Sequence, residues 1–262
     1  MSGQASKASN SAAASDYSGQ VTLVSNVCDD IGAGIARYFA SKGAMVGLSG
    51  ANEEALELLA GEIVGQGGQA IAVANGQAGS EGISEIVGRV GSKFGKIDIL
   101  VNNPGEVANC SLAELSVGDF KTNIDTMLTT SFAFMREVVP GMRARQYGRI
   151  INICSLSYLG LATQANLAAS HAGIFGLTRS IALETATDGI TVNSLIKGDI
   201  ATADLSAADA EMLANRTPVK RLGTTADIVH ALNFFASAST TYVTGQTLFV
   251  CGGKSAYFSM SV

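Results

Sequence analysis

The chain has 262 residues, is 47% hydrophobic and 15% charged, contains 30 glycines and carries a formal net charge of −5. That length and mixture suit one compact α/β core and exclude a fibrous or wholly disordered chain. No run of Lys or Arg stands out, so the sequence gives no footing to nucleic acid or to an anionic membrane surface.

Residues 1–18 (MSGQASKASNSAAASDYS) are rich in Ser and Ala and lack an apolar stretch, so they read as a disordered tail and not as a signal peptide. Residues 19–262 read as one domain. Short apolar runs follow at Val21–Ser25, Ala44–Leu48, Ala70–Ala74, Ile97–Val101, Arg149–Cys154, Thr191–Leu195 and Thr247–Val250. Their nearly continuous apolar character is that of strands covered on both faces. Helical patterns lie between them. Ile31, Ile35 and Phe39 recur every four residues before Gly43, a typical helix-ending glycine, and Leu56, Leu59 and Ile63 form the next stripe. Long helices are expected over about 117–145 and 162–187, the second rich in small residues. This alternation predicts a doubly wound, Rossmann-type parallel sheet with helices on both faces.

The four cysteines (Cys28, Cys110, Cys154, Cys251) and two histidines (His171, His230) are scattered and never take metal-ligand spacing. No metal is expected, and the thiols read as reduced cysteines. No apolar run is long enough to span a bilayer, so a soluble, cytoplasmic protein is expected.

The segment Val21–Ala40 (VTLVSNVCDDIGAGIARYFA) is strand, turn and helix. A turn that cradles a dinucleotide needs glycines, because the backbone must approach the pyrophosphate and the helix N-terminus must face it. Here the context is right and the glycines are missing. Asp29 and Asp30 suit helix capping, which is worth about 1 kcal/mol. They also place negative charge where a diphosphate would sit. One such pair about 5 Å apart, at an effective dielectric near 20, costs roughly 3 kcal/mol.

On these residues the chain resembles the short-chain dehydrogenase/reductase family. The family turn, Thr-Gly-x-x-x-Gly-x-Gly, falls on Ser25, Asn26, Val27, Cys28, Asp29, Asp30, Ile31 and Gly32. Only its last glycine is kept. Asn102-Asn103-Pro104-Gly105 matches the Asn-Asn-Ala-Gly motif, Gly148–Ser155 (GRIINICS) the strand carrying the family serine, and Tyr242–Gly253 (YVTGQTLFVCGG) the last strand. The resemblance implies a Tyr general acid/base, a Lys that lowers its pKa and holds the ribose, a Ser on the reacting oxygen and an Asn in a proton relay. Their positions fall on Leu167, His171, Ser155 and Met127. The acidic residue that usually ends the second strand is replaced by Gly50, and the proline of a Pro-Gly loop by Lys197, before Gly198.

The resemblance therefore implies a chain that binds no cofactor and has no catalytic set, Ser155 excepted. The family's long helices usually pair between subunits, so a catalytically intact, NAD-binding paralogue is the expected partner, in a heterodimer or heterotetramer. The pattern is similar to that of two-subunit dehydrogenases that oxidise a hydroxyacyl-CoA in anaerobic toluene degradation, where one subunit lacks a full active site. Two other readings stay open. One is a non-redox enzyme using Ser155 and His171, with Tyr158 lending a hydroxyl. The other is a ligand-binding module that uses the vacated pocket. A homo-oligomer of inactive chains is the plainest alternative to the mixed assembly.

Overall fold

The computed structural model of the protein describes residues 17–74, 80–105 and 110–258. In chain order the elements are β1 (Val21–Val24), α1 (Asp30–Ser41), β2 (Met45–Gly50), α2 (Glu53–Gly65), β3 (Gln69–Ala74), α3 (Ser80–Phe94) and β4 (Ile99–Asn102). There follow α4 (Val117–Ile124), one π turn (Asp125–Thr129), α5 (Thr130–Ala144), β5 (Gly148–Ser155), α6 (Ala165–Thr185) and β6 (Ile190–Lys197). The rest are α7 (Ala207–Arg216), α8 (Thr225–Ala236), β7 (Thr247–Val250) and α9 (Lys254–Phe258). Among the described residues the strands form one sheet, ordered β3-β2-β1-β4-β5-β6-β7, with every pairing parallel. This is the single doubly wound domain that the alternation predicts.

Alternation along the central strands decides which helix layer each side chain meets. Ile99, Val101, Ile151 and Ile153 join Ile31, Ile35 and Phe39 of α1, Leu56 of α2 and Leu232 of α8. Leu100 and Ile150, on the opposite face, join Ile86 of α3 and Phe134, Val138 and Met142 of α5. The tail expected over 1–18 lies outside the described residues as far as residue 16. Its end does not behave as a tail: Tyr17 is fully buried. Its ring meets Phe39 edge-on at 4.8 Å, and its hydroxyl donates to Asn233 Oδ1 at 2.7 Å.

A polar chain runs through the second layer. Asn102 Nδ2 donates to Asn152 Oδ1 at 2.8 Å, Asn152 Nδ2 donates to Thr178 Oγ1 at 2.8 Å, and Thr178 meets Ser194 at 2.8 Å. All four residues are buried. These buried hydrogen bonds tie β4, β5, β6 and α6 together, although the Asn102 Oδ1 atom has no hydrogen-bond partner among the described residues.

Arg149 is a buried cation whose side chain donates to four backbone carbonyls, those of Ser237, Ala238, Gly148 and Gly189, at 2.8–3.3 Å. Its guanidinium lies 4.6 Å from the Tyr147 ring centroid, and burial lowers its pKa. It joins the end of α8 to the start of β5. Arg149→Met leaves those carbonyls buried without their donor and is expected to cost about 2–4 kcal/mol in urea unfolding. An unchanged midpoint would show that the residue does not hold these segments together.

Candidate functional site

In a doubly wound sheet the ligand crevice opens at the carboxyl ends of the strands, where the strand order reverses. Here that point lies between β1 and β4. A cleft of about 630 Å³ opens there, walled by Cys28–Ile31 on one side, Asn103 and Pro104 at the base, and Lys197–Leu205 with Leu213 opposite. The sequence-derived turn and the loop after β6 therefore meet across one cavity.

The turn from β1 into α1 is built with Asn26, Asp29 and Asp30 at the positions where the family motif has glycine or a turn residue. Asn26 sits in the left-handed region, with φ of 49°, a conformation that Asn tolerates better than most side chains. Its side chain packs on Gly105: a Cβ added there would lie 2.9 Å from Asn26 Nδ2. Gly32 is kept because a Cβ would lie 2.5 Å from the Asn26 carbonyl oxygen and 2.9 Å from Asn103 Nδ2. Ser25 Oγ accepts from the Asn103 backbone N–H at 3.0 Å, which joins the ends of β1 and β4.

Asp29 is the N-cap of α1. Its Oδ1 accepts from the Gly32 N–H at 2.6 Å, and Asn103 Nδ2 lies 3.0 Å from both of its carboxylate oxygens. Asn103 Nδ2 also donates to the Asn26 carbonyl at 3.0 Å. An N-terminal N–H that would face an anion is thus engaged by a carboxylate of the chain itself. Asp30, one residue on, points the other way: its Oδ2 accepts from the Ala203 N–H at 2.7 Å. At the end of β2, a Cβ on Gly50 would lie 2.6 Å from Cys28 Sγ, so that strand end is covered by the cysteine.

The cleft is acidic. Asp29, Asp30, Asp199 and Asp204 line it, with Lys197 as the basic lining residue. Asp199 is paired with Lys254 at the start of α9. The Thr202 hydroxyl beside Asp204 holds that carboxyl below its ordinary range. Among the described residues no group of three or more His, Cys, Asp or Glu is placed to hold a metal ion. No helix there is long and apolar enough to cross a membrane.

The four positions implied by the family chemistry lie near the ends of β5, α6 and the π turn. Ser155 ends β5, where its hydroxyl is hydrogen-bonded to the Ser157 hydroxyl and accepts from the Ser157 N–H at 3.3 Å. Leu167 and His171 are one helical turn apart on α6, and both are buried. Leu167 offers no ionisable group. Met127 is fully buried in the π turn, and its carbonyl accepts from Ser131 Oγ at 2.7 Å. A π turn inside a long helix often marks a functional position, and here it surrounds an apolar side chain. Cys154, beside the serine, is wholly buried with its thiol pushed up to about 12 by desolvation, which leaves it protonated and unreactive at neutral pH.

Sequence reasoning missed three participants. Asn103 reads in the sequence as part of a motif, but its grip on Asp29 depends on a fold that brings β1 and β4 together. Cys28 was an unremarkable turn residue until Gly50 placed it over the end of β2. The Ala203 N–H carries no side-chain signal at all.

Comparison with known proteins agrees with this fold. The family model described as enoyl-(acyl carrier protein) reductase matches residues 27–255. Subunit BbsC of the (2S)-[(R)-hydroxy(phenyl)methyl]succinyl-CoA dehydrogenase of Thauera aromatica is 46% identical, over 95% of this chain and 99% of its own. Subunit BbsD of that enzyme is 33% identical, over 91% and 97%. The 3-oxoacyl-[acyl-carrier-protein] reductase FabG of Rickettsia bellii is 38% identical, over 91% and 98%. Among solved structures, a double mutant of the Serratia marcescens short-chain dehydrogenase/reductase superposes with a TM-score of 0.83 at 28% identity, covering 91% of this chain and 98% of that one. The chain belongs to the short-chain dehydrogenase/reductase family.

Substitutions at the turn and at the catalytic positions separate the effects of the two regions. Leu167→Tyr with His171→Lys is expected to leave NADH affinity unchanged, because Asp29 and Asp30 remain. Asn26→Gly with Asp29→Ser and Asp30→Gly is expected to raise it by at least about a hundredfold, the effect of removing one close charge. Fluorescence titration with NADH measures both, and the opposite ranking would overturn the assignment.

Proposed function

We propose that the chain is the non-catalytic subunit of a heteromeric NAD-dependent short-chain dehydrogenase. Its substrate is a hydroxyacyl-CoA of the 2-(hydroxy(phenyl)methyl)succinyl-CoA type, in aromatic (toluene) catabolism. The observation that carries the reading is the Asp29 carboxylate on the Gly32 N–H and the Asn103 amide, at the place where the family fold receives a diphosphate. A dinucleotide does not fit this arrangement. It would have to displace the Asp29 cap and approach Asp30, and it would meet Cys28 where the ribose contact of β2 belongs.

The chemistry points the same way. Leu167 cannot exchange a proton, which removes a contribution typically worth about 10²–10⁴ in rate. Ser155, the one retained group, has its hydroxyl tied to Ser157, which gives no support to a Ser155/His171 nucleophile pair. The resemblance to two different subunits of one dehydrogenase supports the partnership and the substrate class. So does an open apolar groove of about 470 Å³ between the π turn, α5 and α6, floored by Gly173 and Gly176 and flanked by Phe132 and Leu177. That groove suits close helix packing by an intact paralogue, which supplies the NAD site and the Tyr and Lys.

The test is co-expression with an intact paralogue followed by single substitutions in each chain. Ser155→Ala and His171→Ala in this chain are expected to leave dehydrogenase activity within about twofold, while Tyr→Phe in the partner removes it. A loss of more than tenfold from Ser155→Ala, with the complex still assembled, would overturn the proposal.

A further inference from the structure

We infer that Asp30 is a built-in latch: its carboxylate holds the loop after β6 across the cleft, so that this wall stays in place with no ligand bridging it. The inference rests on the reading that no nucleotide occupies the cleft, and it concerns what replaces one mechanically.

The loop from Lys197 to Leu205 forms the wall facing the α1 turn. It has three tethers on its own side. Ile200 bridges Gly223, and the Gly198 N–H donates to the Val250 carbonyl at 2.9 Å. Asp199 adds the ion pair with Lys254. None of these spans the cleft. The Asp30 Oδ2 bond from the Ala203 N–H, at 2.7 Å, does span it, and it joins residues 173 positions apart. A hydrogen bond with a charged acceptor is stronger than a neutral one, and this one lies open to solvent at the mouth of the cleft.

The base of the latch is itself fixed. Asp30 is the first residue of α1, and the preceding Asp29 is held by Gly32 and Asn103. The two adjacent carboxylates therefore divide the work of an anion in such a cleft. Asp29 satisfies the helix N-terminus, and Asp30 reaches the opposite wall. Conformational order that would otherwise await a bound ligand is supplied by the chain. The surface that the loop presents then does not depend on nucleotide concentration, which suits a subunit whose role is to support another.

Hydrogen exchange of the full-length chain, followed by mass spectrometry without nucleotide, tests the latch. Asp30→Ala is expected to speed exchange of the Ala203 amide by about tenfold or more, with the β5 and β6 amides unchanged. Asp30→Ser is suited to a helix start but too short to reach Ala203. It should give the same result even if the alanine variant loosens the whole molecule. Unchanged exchange at Ala203 in the serine variant overturns the inference. NAD added to the wild-type chain tests the other reading separately. Protection of the cleft by NAD would refute the non-catalytic assignment, while the exchange of the two variants without nucleotide would still decide the latch.

Discussion

The Asp29 carboxylate at the start of α1 is the contact on which the arrangement of the cleft depends. A helix N-terminus presents N–H groups without intrahelical partners and the positive end of a dipole, so an anion belongs there. In this chain the anion is a side chain. Because Asp29 takes the Gly32 N–H, it can also receive Asn103 from the end of β4, and Asn103 in turn holds the Asn26 carbonyl in a left-handed turn. The end of β1, the end of β4 and the first turn of α1 are thereby joined without a ligand. Asp30 is left free to face the opposite wall.

Around that contact the frame of the family is maintained by packing, which has requirements distinct from those of chemistry. Gly32 still admits the Asn26 carbonyl, and Gly34 still lets Thr225 of α8 approach. The polar chain through Asn102, Asn152, Thr178 and Ser194 still ties the central strands to α6. The π turn lies around Met127, where Ser131 and Asn102 join the helix to the sheet. None of these interactions needs a proton donor at position 167 or a cation at position 171. Substituting those two positions with buried Leu and His leaves the architecture standing.

The strands and most helices were legible in the sequence, because each apolar run is bounded by turn residues and each amphipathic stripe repeats with helical spacing. The site was legible only as a set of departures. Asp29 and Asp30 could be seen to carry the wrong charge, but sequence could not divide their roles, since one faces Gly32 and the other a loop 173 residues away. Tyr17 reads in the sequence as part of the tail, because the residues before it are rich in Ser and Ala. Its burial depends on Phe39 and Asn233, which only the folded chain brings together. The role of Arg149 was hidden for the same reason: carbonyl partners leave no trace in the order of side chains.

The central claim is that this chain lends structure and its partner binds the dinucleotide. Isothermal titration of NAD into the purified complex of this chain with an intact paralogue measures that division most directly. The account predicts one NAD bound per pair of unlike chains. Two NAD per pair, with the second site lost on substituting this chain's own turn, would contradict it.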